Sequence, residues 1–156
     1  MLSKNLLKKV ALDYPAIRFK PGEHFKWSST EKIIYYDALE EDAETFLFHE
    51  LAHAVLDHDD FKLDVELVRK EAKAWEYTAS LSEKYGIISD KQKADEALES
   101  YRYWLFKRSK CPDCGANGLQ TKNTHYKCLA CGCSWSANDA RICGLKRYKV
   151  KATKLF

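Results

Sequence analysis

The chain has 156 residues, enough for one core-forming domain and a small appendage. With 46% hydrophobic and 31% charged residues it has a globular composition, which excludes an intrinsically disordered chain; no apolar run approaches the ~20 residues needed to span a bilayer. The net charge of +3 conceals a split, because residues 1–106 carry a net of −6 and residues 107–156 a net of +9.

The opening stretch, MLSKNLLKKVALDYP, is amphipathic but lacks a long apolar run and a small-residue cleavage site, so no secretion signal is expected. Leu6, Leu7 and Val10 lie at helical spacing, and Pro15 ends that helix soon after Asp13. AIRF and KIIYY read as short strands of a small sheet, with PGEHFKWSS as a loop between them. Asp42 is expected to cap a helix running to about Asp57, apolar on nearly every side through Phe46, Leu47, Leu51, Val55 and Leu56 and therefore buried. A second long helix is expected from about Leu63 to Tyr85, stopping at Gly86, with Val65, Val68, Ala72, Trp75 and Ala79 as its apolar stripe. A third, capped by Ser89 or Asp90, turns Ala94, Ala97, Leu98, Tyr101 and Leu105 inward. The composition shifts near Lys107–Lys110, where the cysteines begin, which divides the chain into a domain over 1–107 and a basic module with its tail over 108–156. The fold class expected is α+β, mostly helical with a small sheet, followed by a small metal-bound ribbon.

Within the buried helix, FLFHELAHAVLDH contains His49-Glu50-Leu51-Ala52-His53. Positions i and i+4 share a helical face, so His49 and His53 can grip one zinc ion, with Glu50 beside them to take a proton from water. The plainer reading is a chance match on a surface helix. It fits poorly here, since histidines without ligands are costly inside an apolar run. A catalytic zinc takes a third protein ligand. Glu71 is the candidate, because Leu67, Val68, Ala74 and Trp75, one turn to either side, are all apolar. The alternatives are Glu66, which sits among Lys62, Arg69 and Lys70, then Asp57 and His58, which follow the motif too closely to wrap back easily. Glu71 could also be an ordinary salt bridge with Lys70 or Lys73.

The segments IIYYDALEEDAETFLFHELAHAVLDH and KEAKAWEYTASL resemble the ImmA/IrrE metallopeptidases. In that family a strand and an acidic turn precede HELGHxxLH, and a later helix supplies a glutamate ligand. The resemblance covers roughly residues 5–105. It implies a zincin-like domain with His49, His53 and Glu71 on a catalytic zinc and Glu50 as the catalytic residue. Ala52 stands where the family often has Gly, Trp75 where it has an aromatic, and Leu81 is not followed by the usual Met-Pro. Such enzymes typically cleave a repressor encoded beside them, so the resemblance also implies a protein substrate that is a transcriptional regulator.

All six cysteines lie after residue 110. Cys111, Cys114, Cys128 and Cys131 form two Cys-x2-Cys pairs, each followed by Gly, with LQTKNTHYK between them as a hairpin. This is the pattern of a zinc ribbon with one structural zinc, and in a chain without a signal it points to metal rather than disulfides, hence to a reducing cytoplasm. Cys133 and Cys143 are left over, although Cys133 could replace Cys131; His125 reads as a hairpin residue. The basic ribbon and its tail, with His125, Tyr126, Trp135 and Tyr148 interleaved, suit nucleic acid, and equally suit docking on a protein. Two further functions stay open: a SprT-like protease acting on DNA-bound proteins, and a non-catalytic zinc-ribbon adaptor. No membrane partner is expected.

Overall fold

A computed structural model describes residues 1–141 and 143–150. The chain is α+β, with four helices and two small sheets among the described residues. It divides into two compact units, one formed by Met1–Asp60 and Lys70–Asp95 and the other by Phe61–Arg69 and Glu96 onward. Among the described residues no helix is long and apolar enough to cross a membrane.

The first unit begins with α1 (Lys4–Asp13), then β1 (Arg18–Pro21), β2 (Lys26–Ser28) and β3 (Ile33–Tyr36). Strand β3 is central: β1 pairs with it in parallel, with Phe19 opposite Ile34, and β2 pairs antiparallel, with Trp27 opposite Ile34. The segment expected to be a loop therefore holds an edge strand. Its three residues, Lys-Trp-Ser, are too short to show an alternating pattern.

Helix α2 (Ala43–Val55) packs on this sheet. Leu47, Phe48, Leu51 and Ala52 share a solvent-free core with Ile34, Val10 and Ala74. Each large apolar side chain buried this way contributes about 1.5–3 kcal/mol, so hydrophobic packing fixes the helix. Asp42 does not cap it through its side chain; the residue has φ +59° and its carboxylate pairs with Lys93 instead.

Helix α3 (Asp64–Tyr85) ends at Gly86, whose φ of +71° suits a residue without Cβ. Its buried positions are Asp64, Glu71, Ala74, Trp75, Thr78, Leu81 and Ser82. The expected stripe is thus rotated: Trp75 lies on it, whereas Val65 and Ala79 are exposed. Polar residues hold some inward positions, and a reading of apolar residues alone passes over them. Helix α4 (Lys91–Ser109) is capped by Asp90, whose Oδ1 accepts the Lys93 amide at 3.0 Å.

The second unit centres on an antiparallel sheet of β4 (Leu119–Lys122), β5 (His125–Lys127), β6 (Ser134–Ala137) and β7 (Arg147–Lys149), in that order. Tyr126 and Trp135, opposite each other on β5 and β6, stack at 5.6 Å and are buried. Beneath them Arg108 Nε donates to Asp64 Oδ2 at 2.5 Å, the Tyr126 hydroxyl donates to the same oxygen, and Trp135 Nε1 donates to the Arg108 carbonyl at 2.9 Å. Burial, and then the hydrogen bond to Asp64, raise the Tyr126 hydroxyl well above its ordinary pKa. Gln120 completes the network by accepting the Asp64 amide at 2.7 Å. These bonds gather the start of α3 and the end of α4 into the unit that holds the sheet, so the boundary expected near Lys107–Lys110 falls inside this unit.

Candidate metal centres

Helices α2 and α3 place three side chains of the first unit together. His49 Nε2 and His53 Nε2, one turn apart on α2, are 3.1 Å from each other. Glu71 Oε2 lies 3.3 Å from His49 Nε2, and Glu71 Oε1 lies 3.6 Å from His53 Nε2. His49 and Glu71 are buried, and the three residues form a group that could hold a metal ion. Glu71 Oε2 is buried beside His49 without a hydrogen-bond partner among the described residues. Burial alone would raise the Glu71 carboxyl; the His49 and His53 rings outweigh it and hold it down at about 2.

Other residues fix the rings. Trp75, one turn after Glu71 on α3, stacks on His49 with centroids 4.2 Å apart. On the other side of His53, its Nδ1 lies 2.9 Å from His58 Nδ1. With a metal bound, a hydrogen on His53 Nδ1 would leave its Nε2 lone pair for the ion, the form a ligand needs. Burial, then the neighbouring His53 ring, lower His58 to about 4. The His58 carbonyl accepts Trp27 Nε1 at 3.2 Å, and the Trp27 amide on β2 donates to Glu50 Oε2 at 2.6 Å. The edge strand thus holds one oxygen of the Glu50 carboxylate.

In the second unit Cys111, Cys114, Cys128 and Cys131 form another group that could hold a metal ion. Cys111 Sγ and Cys131 Sγ are 3.6 Å apart, as are Cys114 Sγ and Cys128 Sγ, so the thiols converge without forming disulfides. Both pairs have the same local bonding. Gly115 N donates to Cys111 O at 3.1 Å and Gly132 N to Cys128 O at 3.0 Å, with φ of +74° and +76° at the two glycines. Cys111 N donates to Ala116 O and Cys128 N to Cys133 O, both at 2.8 Å. Burial works against the Cys111 thiolate, but donors from Cys114 and Cys131 lower it to about 7. The Cys133 amide favours the Cys131 thiolate, yet the surrounding thiols push Cys131 up to about 12. Four thiolates in such proximity repel, and a dication removes that conflict.

The remaining residues singled out by sequence lie elsewhere. Glu66 accepts the Lys62 and Leu63 amides at 2.8 and 3.0 Å, closing the start of α3. Asp57 is exposed and pairs with Lys32. His125 Nδ1 contacts the Asn123 carbonyl at 2.8 Å in the β4–β5 turn. Cys133 is half-buried beside the sulfur cluster, and Cys143 is exposed. Tyr126 and Trp135 are internal, so they are closed to stacking partners. Residues 151–156 of the basic tail lie outside the described residues. Trp27 and His58 as partners of Glu50 and His53 escaped the sequence reading, and their only local signal was the placement of His58 five residues after His53.

Compared with known proteins, the chain matches no family model, and no curated protein or solved structure is significantly similar to it.

Proposed function

We propose that this chain is a zinc-dependent endopeptidase of the ImmA/IrrE kind, with a catalytic zinc on His49, His53 and Glu71 and a structural zinc on Cys111, Cys114, Cys128 and Cys131. The observation that carries the reading is the convergence of His49 Nε2 and His53 Nε2, 3.1 Å apart, on the Glu71 carboxylate, whose Oε2 lies 3.3 Å from the first and Oε1 3.6 Å from the second. Tetrahedral ligands at zinc–nitrogen and zinc–oxygen bond lengths stand about 3.3 Å apart, and four zinc-bound sulfurs about 3.8 Å apart. Both clusters are near these spacings, and the unsatisfied Glu71 oxygen supplies the negative charge a dication seeks. A buried carboxylate with two imidazoles and an open position is a hydrolytic ligand set; four thiolates form a closed, structural one.

When bound, the catalytic ion supplies Lewis acidity and lowers the pKa of water toward ~7. Glu50 takes the proton from the attacking water and returns it to the amine that leaves. The Trp27 amide orients Glu50 for both transfers, and His58 holds the His53 ring. The substrate is a protein, a DNA-binding repressor or other transcriptional regulator, as the family resemblance implies, and the unpaired thiols suit a reducing cytoplasm.

The test is Glu50→Gln, nearly isosteric, in purified protein incubated with a helix-turn-helix regulator encoded beside it. Zinc content is expected to stay unchanged while cleavage is lost. Cleavage by the variant, or none by the parent on any such regulator, overturns the proposal.

A further inference from the structure

Helix α4 carries Tyr101-Arg102-Tyr103-Trp104-Leu105-Phe106, four aromatic residues in six positions. Each ring has a cation over it. Arg141 Cζ is 4.3 Å from the Tyr101 centroid, Lys107 Nζ 5.2 Å from Tyr103, Arg108 Cζ 4.7 Å from Trp104 and Lys110 Nζ 5.7 Å from Phe106. The Trp104–Arg108 pair is internal, because Trp104 is buried and Arg108 is bound to Asp64. Of the others, Tyr101 is half-buried, Tyr103 is 57% and Phe106 44% exposed, and Lys107, Lys110 and Arg141 are exposed. Tyr103, Phe106 and Lys110 lie at i, i+3 and i+7, a single helical stripe with Lys107 beside it. Glu99, which bounds the stripe at its start, pairs with Arg102 at 3.7 Å.

Alongside the stripe is a cleft of about 450 Å³, lined by Ser100, Tyr101, Tyr103, Trp104 and Arg141. It lies in the size range of small-molecule sites. The indole Nε1 of Trp104, its buried wall, has no hydrogen-bond partner among the described residues.

Rings and cations in alternation ask for a partner that offers flat π-faces and anions in alternation, which single-stranded nucleic acid does. An acidic peptide would satisfy the lysines and leave Tyr103 and Phe106 in water. The ribbon itself is poorly placed for stacking, since Tyr126 and Trp135 spend their faces on each other, Lys149 pairs with Asp113, and Arg147 donates to the Lys110 carbonyl. We propose that the outward face of α4, with Arg141, binds single-stranded nucleic acid. Bases stack on Tyr103 and Phe106, a further base enters the cleft against Tyr101, and Lys107, Lys110 and Arg141 take phosphates. This inference does not rest on the peptidase reading.

The experiment is fluorescence anisotropy of the full-length protein with fluorescein-labelled oligo-dT at several salt concentrations. Binding is expected to weaken with salt along a log–log slope of about −0.7 per phosphate, thus about −2 for three cations. Tyr103→Ala with Phe106→Ala is expected to weaken binding about thirtyfold or more, since each of the two stacked bases is worth ~1–3 kcal/mol. Tyr148→Ala on the ribbon is expected to bind as the parent does. Should the double alanine variant fail to fold by circular dichroism, Lys107→Gln with Lys110→Gln decides, its slope being shallower by about 1.4. Absence of salt-sensitive binding overturns the proposal. So does unchanged affinity in the folded double alanine variant, or an unchanged slope in the double glutamine variant. Poly-glutamate displacing the oligonucleotide with no dependence on Tyr103 and Phe106 assigns the face to an acidic protein and equally overturns it.

Discussion

The nitrogen–oxygen centre and the sulfur centre place their ligand atoms at similar spacings but are held by opposite means. His49 and His53 stand on a helix whose Leu47, Phe48, Leu51 and Ala52 are solvent-free, so apolar packing presets their geometry. The four cysteines stand on two turns over a core of little more than Tyr126, Trp135 and Ala137. A site built into a core can exchange its ligand without unfolding, whereas a site that replaces a core cannot. On the proposed metal assignment, openness to chemistry and dependence on the ion therefore separate between the two units.

The largest effect that could break this comparison is metal removal. Structural zinc is worth about 10 kcal/mol or more to a small ribbon. A chelator is expected to expose Trp135, seen as a red shift in its fluorescence, while hydrogen exchange at Leu47, Phe48 and Leu51 stays slow. Equal loss of protection in both units would show that the first centre, too, needs its ion to fold. Next in size is Asp64→Ala. Removing this carboxylate strands the buried Arg108 guanidinium, at a cost of about 3–5 kcal/mol in urea unfolding. A cost under about 1 kcal/mol would mean that the network does not hold the second unit.

Smaller changes sharpen the picture at the first centre. Glu71→Gln is expected to lose zinc there while Glu66→Gln retains it, as read by metal content after dialysis. His58→Ala is expected to weaken zinc by ~10–100-fold, the range for a group that orients a ligand. His58 also predicts a pH effect in metal-free protein. Its folded pKa of about 4 lies below the ordinary 6.5, so the unfolded chain binds the proton more readily. Stability is full above about 6.5 and falls as pH drops toward 4. His58→Ala should flatten that part of the profile, and an unchanged profile would assign it to other groups.

What was legible in the sequence was what is local. His49 and His53 are separated by one helical turn, the cysteines by one tight turn, and Glu71 reveals itself through apolar neighbours on its own helix. What was not legible depends on distant partners. Trp27 meets Glu50 across 23 positions and Asp64 meets Tyr126 across 62. Tyr126 and Trp135, read as interleaved surface aromatics, turn inward because alternation in strands as short as β5 and β6 does not reveal which face is covered. Asp42, a good cap by type, was drawn away by Lys93.

The matched bonding of the two cysteine turns makes the ribbon a pseudo-twofold object. In each half the first cysteine is buried and the second exposed, and the residue five positions after the first returns a carbonyl to its amide. Under that symmetry Cys133 is the counterpart of Ala116, and the chain already contains the alanine version of its own fifth thiol. Cys133→Ala should accordingly change stability by no more than about 0.5 kcal/mol and leave zinc content unaltered. The same equivalence makes the halves interchangeable: a chain carrying the Cys111–Ala116 turn at both places should still close around one ion.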